Sequence, residues 1–190
     1  MTASDIICLP DPRLRQKSKK VGFVDSQIRK TIDDMVSATL DWEDSRQHEL
    51  GVALAGVQIG CMQKIVIIRN NFEDRDDRSF QIFLNPRIIK YEGAIEEDYE
   101  GCLSIKNIYG KVPRYTKVKV KAQDTKGQEI KLTAEGFMAR IFQHEIDHTK
   151  GVVFIDHIKE NKNNFFTLKE DGSLESLDYE NIKTDNILWC

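Results

Sequence analysis

Between residues 117 and 148 the spacing of the apolar residues changes from two to about 3.6. KVKVKA (117–122) alternates charged and apolar side chains, and EIKLT (129–133) does so again after the turn-like DTKGQ. Strict alternation marks strands with one wet face, so the two runs predict an antiparallel hairpin. The next stretch, AEGFMARIFQHEIDH (134–148), carries a helical pattern. Thr133 is the expected N-cap, Leu132 and Phe137 the expected hydrophobic staple, and Gly151 the expected left-handed stop. A hairpin feeding directly into a helix requires a domain that layers helix on antiparallel sheet.

That helix ends in His144-Glu145-Ile146-Asp147-His148, an H-E-x-x-H pattern. Residues i and i+4 share a helix face, so both imidazoles can reach one cation. Glu145 lies about 100° round the helix from His144, where it can reach a metal-bound water without ligating the metal. The plainer alternative is two histidines on an ordinary amphipathic helix. A catalytic metal needs a third protein ligand. Position 154 is Phe154, His157 falls past the helix end, and His48 sits in a polar stretch. Cys102, in Glu100-Gly101-Cys102-Leu103-Ser104, is the better candidate. Alone it would read as a small buried hydrophobe, but the two-histidine helix needs a partner and no third histidine fits.

The rest of the chain reads as follows. Asp25 caps a helix whose apolar positions run from Ile28 to Leu40. Residues 41–50 are polar and aperiodic, and GVALAGVQIG (51–60) is small and apolar. KIVIIR (64–69) and FQIFLNP (80–86) are strands, the second ended by Pro86. FFTLKEDGSLESL reads as a short hairpin around Asp171-Gly172. The expected class is α+β, with mostly antiparallel sheets packed around a central helix that carries the H-E-x-x-H motif. A catalytic domain is expected over 1–158 and a polar extension over 159–190.

The chain has 190 residues, 40% of them hydrophobic and 31% charged, with a net charge of −3. The balance is that of a globular domain, and the acidic net charge argues against nucleic-acid binding by bulk electrostatics. No apolar run reaches the ~20 residues of a membrane span, and the N-terminus carries no signal or transit pattern. Cys8, Cys61, Cys102 and Cys190 form no C-x-x-C pair, so free thiols in a reducing cytoplasm are expected.

Three ordered segments resemble the peptide deformylase family. Gly51-Val52-Ala53-Leu54-Ala55-Gly56-Val57-Gln58 is similar to its Gly-x-Gly-x-Ala-Ala-x-Gln motif, with Ala53 and Gly56 as departures. Glu-Gly-Cys-Leu-Ser is unbroken at 100–104, and His-Glu-x-Asp-His at 144–148. The flanks PDPRLR, LNP, VPR and GVVFIDHI fit as well, so the likeness covers about residues 6–158. The 41–50 stretch is a few residues longer than usual, and Lys106 stands where proline is common.

The resemblance implies removal of the N-formyl group from the initiator methionine of nascent bacterial polypeptides, with release of formate. Cys102, His144 and His148 would hold one divalent ion, Fe(II) by the resemblance and Zn(II) as the alternative. Glu145 would be general base and acid. The Gln58 amide and the Leu103 N–H would bind the formyl oxygen, although Gln58 read alone is a polar residue ending an apolar strand. Gly51, Ala53 and Gly101 would let the peptide backbone approach closely. Asp147 either orients an imidazole or faces solvent.

The implied partner is the N-formylmethionyl nascent chain. The implied enzyme is a cytoplasmic monomer; the C-terminal region lacks the basic helix some members use for ribosome docking, so a transient ribosome contact is the most the resemblance implies. Three other readings compete: a small zinc peptidase, an impaired relative that binds metal or formylated peptides, and a redox sensor built on Cys102.

Overall fold

The computed structural model describes residues 1–178. Cys190 and the end of the 159–190 extension lie outside the described residues. The first helix, α1 (Ser26–Asp44), is capped by Asp25, whose carboxylate accepts from the Ile28 N–H at 2.8 Å. It buries Ile28, Ile32, Met35 and Ala38, and runs one turn beyond Leu40, so that Trp42 and Glu43 are buried too. Glu43 pairs with Arg69 in the interior, both essentially without solvent contact. That ion pair gives the last turn a buried anchor which its apolar pattern lacks.

The strands are β1 (Ala53–Ala55), β2 (Ile65–Arg69), β3 (Phe80–Cys102), β4 (Ile105–Gln123) and β5 (Glu129–Glu135). Helix α2 (Gly136–His148) follows, and then β6 (Phe165–Leu168) and β7 (Leu174–Ser176). They form one continuous antiparallel sheet in the order β1-β2-β3-β4-β6-β7, with β5 also paired to β4. The architecture is therefore α+β with antiparallel pairing and two α-helices, built on one sheet rather than several. Strand β6 pairs with β4 at Gly110↔Phe165, so the chain beyond residue 158 continues the same sheet.

Strand β2 explains why IVII is an unbroken apolar run. Val66 and Ile68 pack with Phe83, Phe142 and Ile146 on the α2 side. Ile65 and Ile67 pack with Ile28, Ile32 and Met35 on the α1 side. A strand with a helix on each face has no wet side chain.

Two expectations are corrected. Pro86 does not end its strand: β3 runs on to Cys102, with a register shift between Leu84 and Arg87. The irregularity takes proline, which has no N–H, out of the ladder. Asn85 at the bend bonds both the N–H and the carbonyl of Val21 through its side chain. Nor does Thr133 cap α2. It pairs with Lys119 inside β5, which keeps its ladder to Glu135, and Glu135 is the N-cap, without a side-chain cap bond. Phe137 is then 47% exposed, in edge contact with Phe72 rather than stapled to Leu132.

Beyond α2, Gly151 has φ +79 and its N–H donates to the His148 carbonyl at 3.1 Å. A Cβ there would stand 2.3 Å from the Arg15 carbonyl oxygen. Gly151→Ala is expected to lower the unfolding free energy by about 2 kcal/mol or more, from a left-handed conformation plus a backbone collision. Urea denaturation checks this. A change under about 0.5 kcal/mol, the range of an unremarkable surface substitution, would contradict it.

Candidate metal centre and its cleft

Helix α2 packs against β1 through β5 and delivers His144, Glu145 and His148 to one place. Cys102, the last residue of β3, arrives opposite them. The Cys102 Sγ lies 3.2 Å from His148 Nε2, which lies 3.2 Å from His144 Nε2. All three donor atoms fall within 4.8 Å of one another. Donors about 2.0–2.3 Å from a tetrahedral cation stand at roughly such separations. One soft thiolate and two imidazoles fit a zinc or ferrous ion. Three lone pairs converging on one buried point are otherwise hard to satisfy, and the residues present fit a metal.

The imidazole of His144 is fixed from behind: its Nδ1 meets Glu100 Oε2 at 2.9 Å, which leaves Nε2 for the cluster. Glu100 also accepts from Arg114 Nε and Arg140 Nη1, each at 2.9 Å. Burial opposes its charge, but the bonds from His144 and Arg114 bring its carboxyl down to about 2. Asp147 is oriented the same way. Arg114 Nη1 donates to its Oδ2 at 2.6 Å, and His157 Nε2 meets that oxygen at 2.9 Å. Burial again opposes, and His157 and Arg114 hold Asp147 far below the usual carboxylate range. His157 is thus a partner of Asp147 rather than part of the donor cluster.

Glu145 is 5% exposed, and its Oε2 has no hydrogen-bond partner among the described residues. Burial pushes its carboxyl up to about 7, Glu100 adding and His144 opposing. A carboxyl poised near neutrality and facing a cleft can take and return a proton.

Gln58 sits on a 3₁₀ turn (Gly56–Ile59) rather than at the end of a strand. Its Oε1 accepts from the Ala55 N–H at 2.8 Å, which settles the amide orientation. Its Nε2 therefore points at the cluster, donating to Ser104 Oγ at 3.1 Å and Cys102 Sγ at 3.5 Å.

The cleft has a volume of about 310 Å³, within the range of small-ligand sites. Ala53, Gln58, Gly101, Cys102, Leu103 and Glu145 all line it, as does His144. Gly51 does not line it. A Cβ on Gly51 would meet Thr39 Cγ2 at 2.6 Å, and its N–H donates to Glu43 Oε2 at 2.9 Å, so its smallness answers to α1. Gly101 faces the Tyr109 ring, where a Cβ would stand 2.5 Å from Cε1. Gly56 is tight against the Gln63 and Cys61 carbonyls and lies away from the cleft.

Sequence reasoning assigned no role to Glu100, Arg114 or Arg140, although all three are buried. The available signal was a charge on an apolar helix face, Arg140 between Ala139 and Ile141. Cys8, Cys61 and Cys102 are free thiols. No helix among the described residues is long and apolar enough to cross a membrane.

The chain is similar to known proteins of one family. The family model described as polypeptide deformylase matches residues 3–164. A peptide deformylase 2 of Clostridium acetobutylicum is 42% identical over 150 residues, 79% of this chain and 91% of its own. A peptide deformylase of Brachyspira hyodysenteriae is 40% identical, over 82% of this chain and 80% of its own. Among solved structures, a Synechococcus elongatus peptide deformylase in complex with actinonin superposes with a TM-score of 0.72 at 34% identity. That match covers 80% of this chain and 78% of the other.

The Glu145 shift has a stability consequence. The unfolded carboxyl ionises near 4.5 and the folded one near 7, so stability falls as pH rises through that window and the cost persists above it. Glu145→Gln removes the charge. In chelator-treated protein it is expected to gain about 2–3 kcal/mol at pH 8 and almost nothing at pH 4.5. Urea melts at the two pH values check this, and an equal effect at both would contradict it.

Proposed function

The chain belongs to the polypeptide deformylase family, and from that premise we propose how its own residues carry out the hydrolysis of N-formylmethionyl nascent peptides. The products of that reaction are formate and a free N-terminal amine. The observation that carries the reading is the convergence of Cys102, His144 and the fully buried His148 on one point, at a cleft lined by Cys102, His144, Gln58 and Glu145.

Cys102, His144 and His148 would hold a divalent ion, ferrous iron by the family likeness, with zinc suiting the same donors. When bound, the ion supplies Lewis acidity and a water of lowered pKa. Glu145 takes a proton from the water that attacks the formyl carbon, and delivers it to the nitrogen as the C–N bond breaks. Its unpartnered Oε2 is the atom free to hold that proton. The Gln58 Nε2–H and the Leu103 backbone N–H donate to the formyl oxygen as negative charge develops there. Ala55 supports this by anchoring the other end of the Gln58 amide.

Glu100 holds His144 with its Nε2 toward His148, where an ion would sit, and Arg114 and Arg140 both donate to Glu100. Ala53 and Gly101 offer a small-residue path for the substrate backbone along the cleft. A cytoplasmic monomer that meets the nascent chain as it leaves the ribosome, by a transient contact at most, completes the proposal. Residues 1–158 carry the catalytic machinery in it, and the segment beyond adds sheet and tail.

The impaired-relative alternative rested on Ala53 and Gly56. Gly56 lies outside the cleft lining, and Ala53 adds only a methyl to it.

The test is formate release from formyl-Met-Ala-Ser by protein purified anaerobically with Fe(II). Glu145→Ala and Cys102→Ala are each expected to lose about 10³-fold or more in kcat, and Gln58→Ala about 10²- to 10³-fold. Chelation should abolish release in the unmutated chain. No release despite one bound ion per chain would overturn the reading in favour of a binding role.

A further inference from the structure

We propose that Arg75 is a substrate-positioning residue, acting through the segment over residues 43–50 that walls the cleft; the inference rests on the deformylase reading above. From residue 46 onward the segment belongs to neither helix nor strand, and residues 43–44 are the end of α1. The Glu43 carbonyl already accepts from the Arg46 N–H at 2.9 Å, whereas those of Arg46, Gln47 and Glu49 lack helix or ladder partners. Arg75, in the turn between β2 and β3, supplies them. Its Nη2 donates to the Glu43 carbonyl at 2.8 Å and the Arg46 carbonyl at 2.6 Å. Its Nη1 donates to the Gln47 and Glu49 carbonyls at 3.3 and 3.4 Å. One planar fork thus gathers four carbonyls, which a lysine point charge cannot do in the same way.

Arg69 fixes the base of this arrangement. Its Nη1 donates to the Arg75 and Asp77 carbonyls at 3.2 and 2.7 Å, its Nε donates to the Gly51 carbonyl at 3.3 Å, and its Nη2 pairs with Glu43. Arg75 is therefore held where it can hold the segment.

The segment in turn forms part of the cleft. Arg46, His48, Glu49 and Leu50 line it, together with Trp42 from the end of α1. The Arg46 guanidinium lies 4.1 Å over the Trp42 ring, and its Nε meets Glu49 Oε2 at 3.2 Å. Glu49 Oε1 accepts from the Tyr109 hydroxyl at 2.6 Å. Tyr109 stands on β4, and its ring packs on Gly101 beside Cys102. A continuous set of contacts thus runs from Arg75, outside the cleft, to a side chain next to the donor cluster. Among the described residues the segment makes no hydrogen bond to Cys102, His144, His148, Glu145 or Gln58. Loosening it changes how firmly a peptide is held and leaves the reacting groups in place, because a wall that must be ordered on binding costs affinity.

The experiment is steady-state formate release from formyl-Met-Ala-Ser, per metal-loaded site, for the unmutated enzyme, Arg75→Ala, Arg75→Lys, Tyr109→Phe and the Arg75→Ala/Tyr109→Phe double variant. Arg75→Ala is expected to raise KM about 5- to 20-fold with kcat within about 2-fold. Arg75→Lys should recover only part of that loss. Tyr109→Phe removes one hydroxyl from a different element and should raise KM about 3-fold, yet in the double variant it should add less than about 2-fold. An unchanged KM in Arg75→Ala, a loss confined to kcat, or an additive double variant each overturns the proposal. Should Arg75→Ala fail to fold, Arg75→Lys and Tyr109→Phe carry the same KM-against-kcat test. An unmutated enzyme that releases no formate fells the deformylase reading and this inference with it, whereas an active enzyme with an unmoved KM in Arg75→Ala fells this inference alone.

Discussion

The Glu100 carboxylate is the point on which the site depends. It stands near the end of β3, accepts from Arg114 on β4 and Arg140 on α2, and meets His144 on the same helix. Three elements are therefore tied by one buried anion. Arg140 also donates to the Val112 carbonyl at 2.7 Å and the Glu96 carbonyl at 2.8 Å, so helix and strands share one bonded unit. The interaction gives charge neutrality to a site that would otherwise hold uncompensated ions in a low-dielectric interior. It also sets the His144 ring orientation, and with it the face offered to a cation. Arg114 extends the network to Asp147 and His157, so His144 is held from β3 and Asp147 from β4.

A consequence is a division of labour among the carboxylates of the motif region. Glu100 and Asp147 are fully partnered and held ionised. Glu145 has an unpartnered oxygen and a carboxyl poised near neutrality. The first two are fixed charges that shape the site, and the third is the group with freedom to exchange a proton. The difference arises from hydrogen-bond partners, since all three are shielded from bulk water.

Much of this was legible in the sequence, for physical reasons. Side-chain period identified the β4–β5 hairpin and both helices, and ligand arithmetic paired the helix with Cys102. Where sequence and fold differ, a local signal is overridden by a tertiary contact. Pro86 looked like a terminator, but a bulge absorbs a missing N–H. Thr133 looked like a cap, but the strand ladder with β4 claims it first. Gly51 looked like a path for ligand backbone, but its bare face answers to Thr39. The buried Arg114–Glu100–Arg140 node escaped because nothing in sequence spacing brings residues 100, 114 and 140 together. Only the β3–β4 register and the helix crossing do. The 41–50 stretch was visible only as polar and long, and its attachment through Arg75 is a tertiary fact.

The donor cluster has a further consequence for the chain as a polymer. Cys102 and His148 are 46 residues apart in sequence, separated by the whole of β4, β5 and α2. An ion bridging them closes a loop of that length, as a disulfide would. Binding free energy at such a clasp is also folding free energy, because the donors assemble only in the native state. An ion bound there would be a topological fastener as much as a reagent, and oxidation of one thiol would release a loop of the fold together with the chemistry.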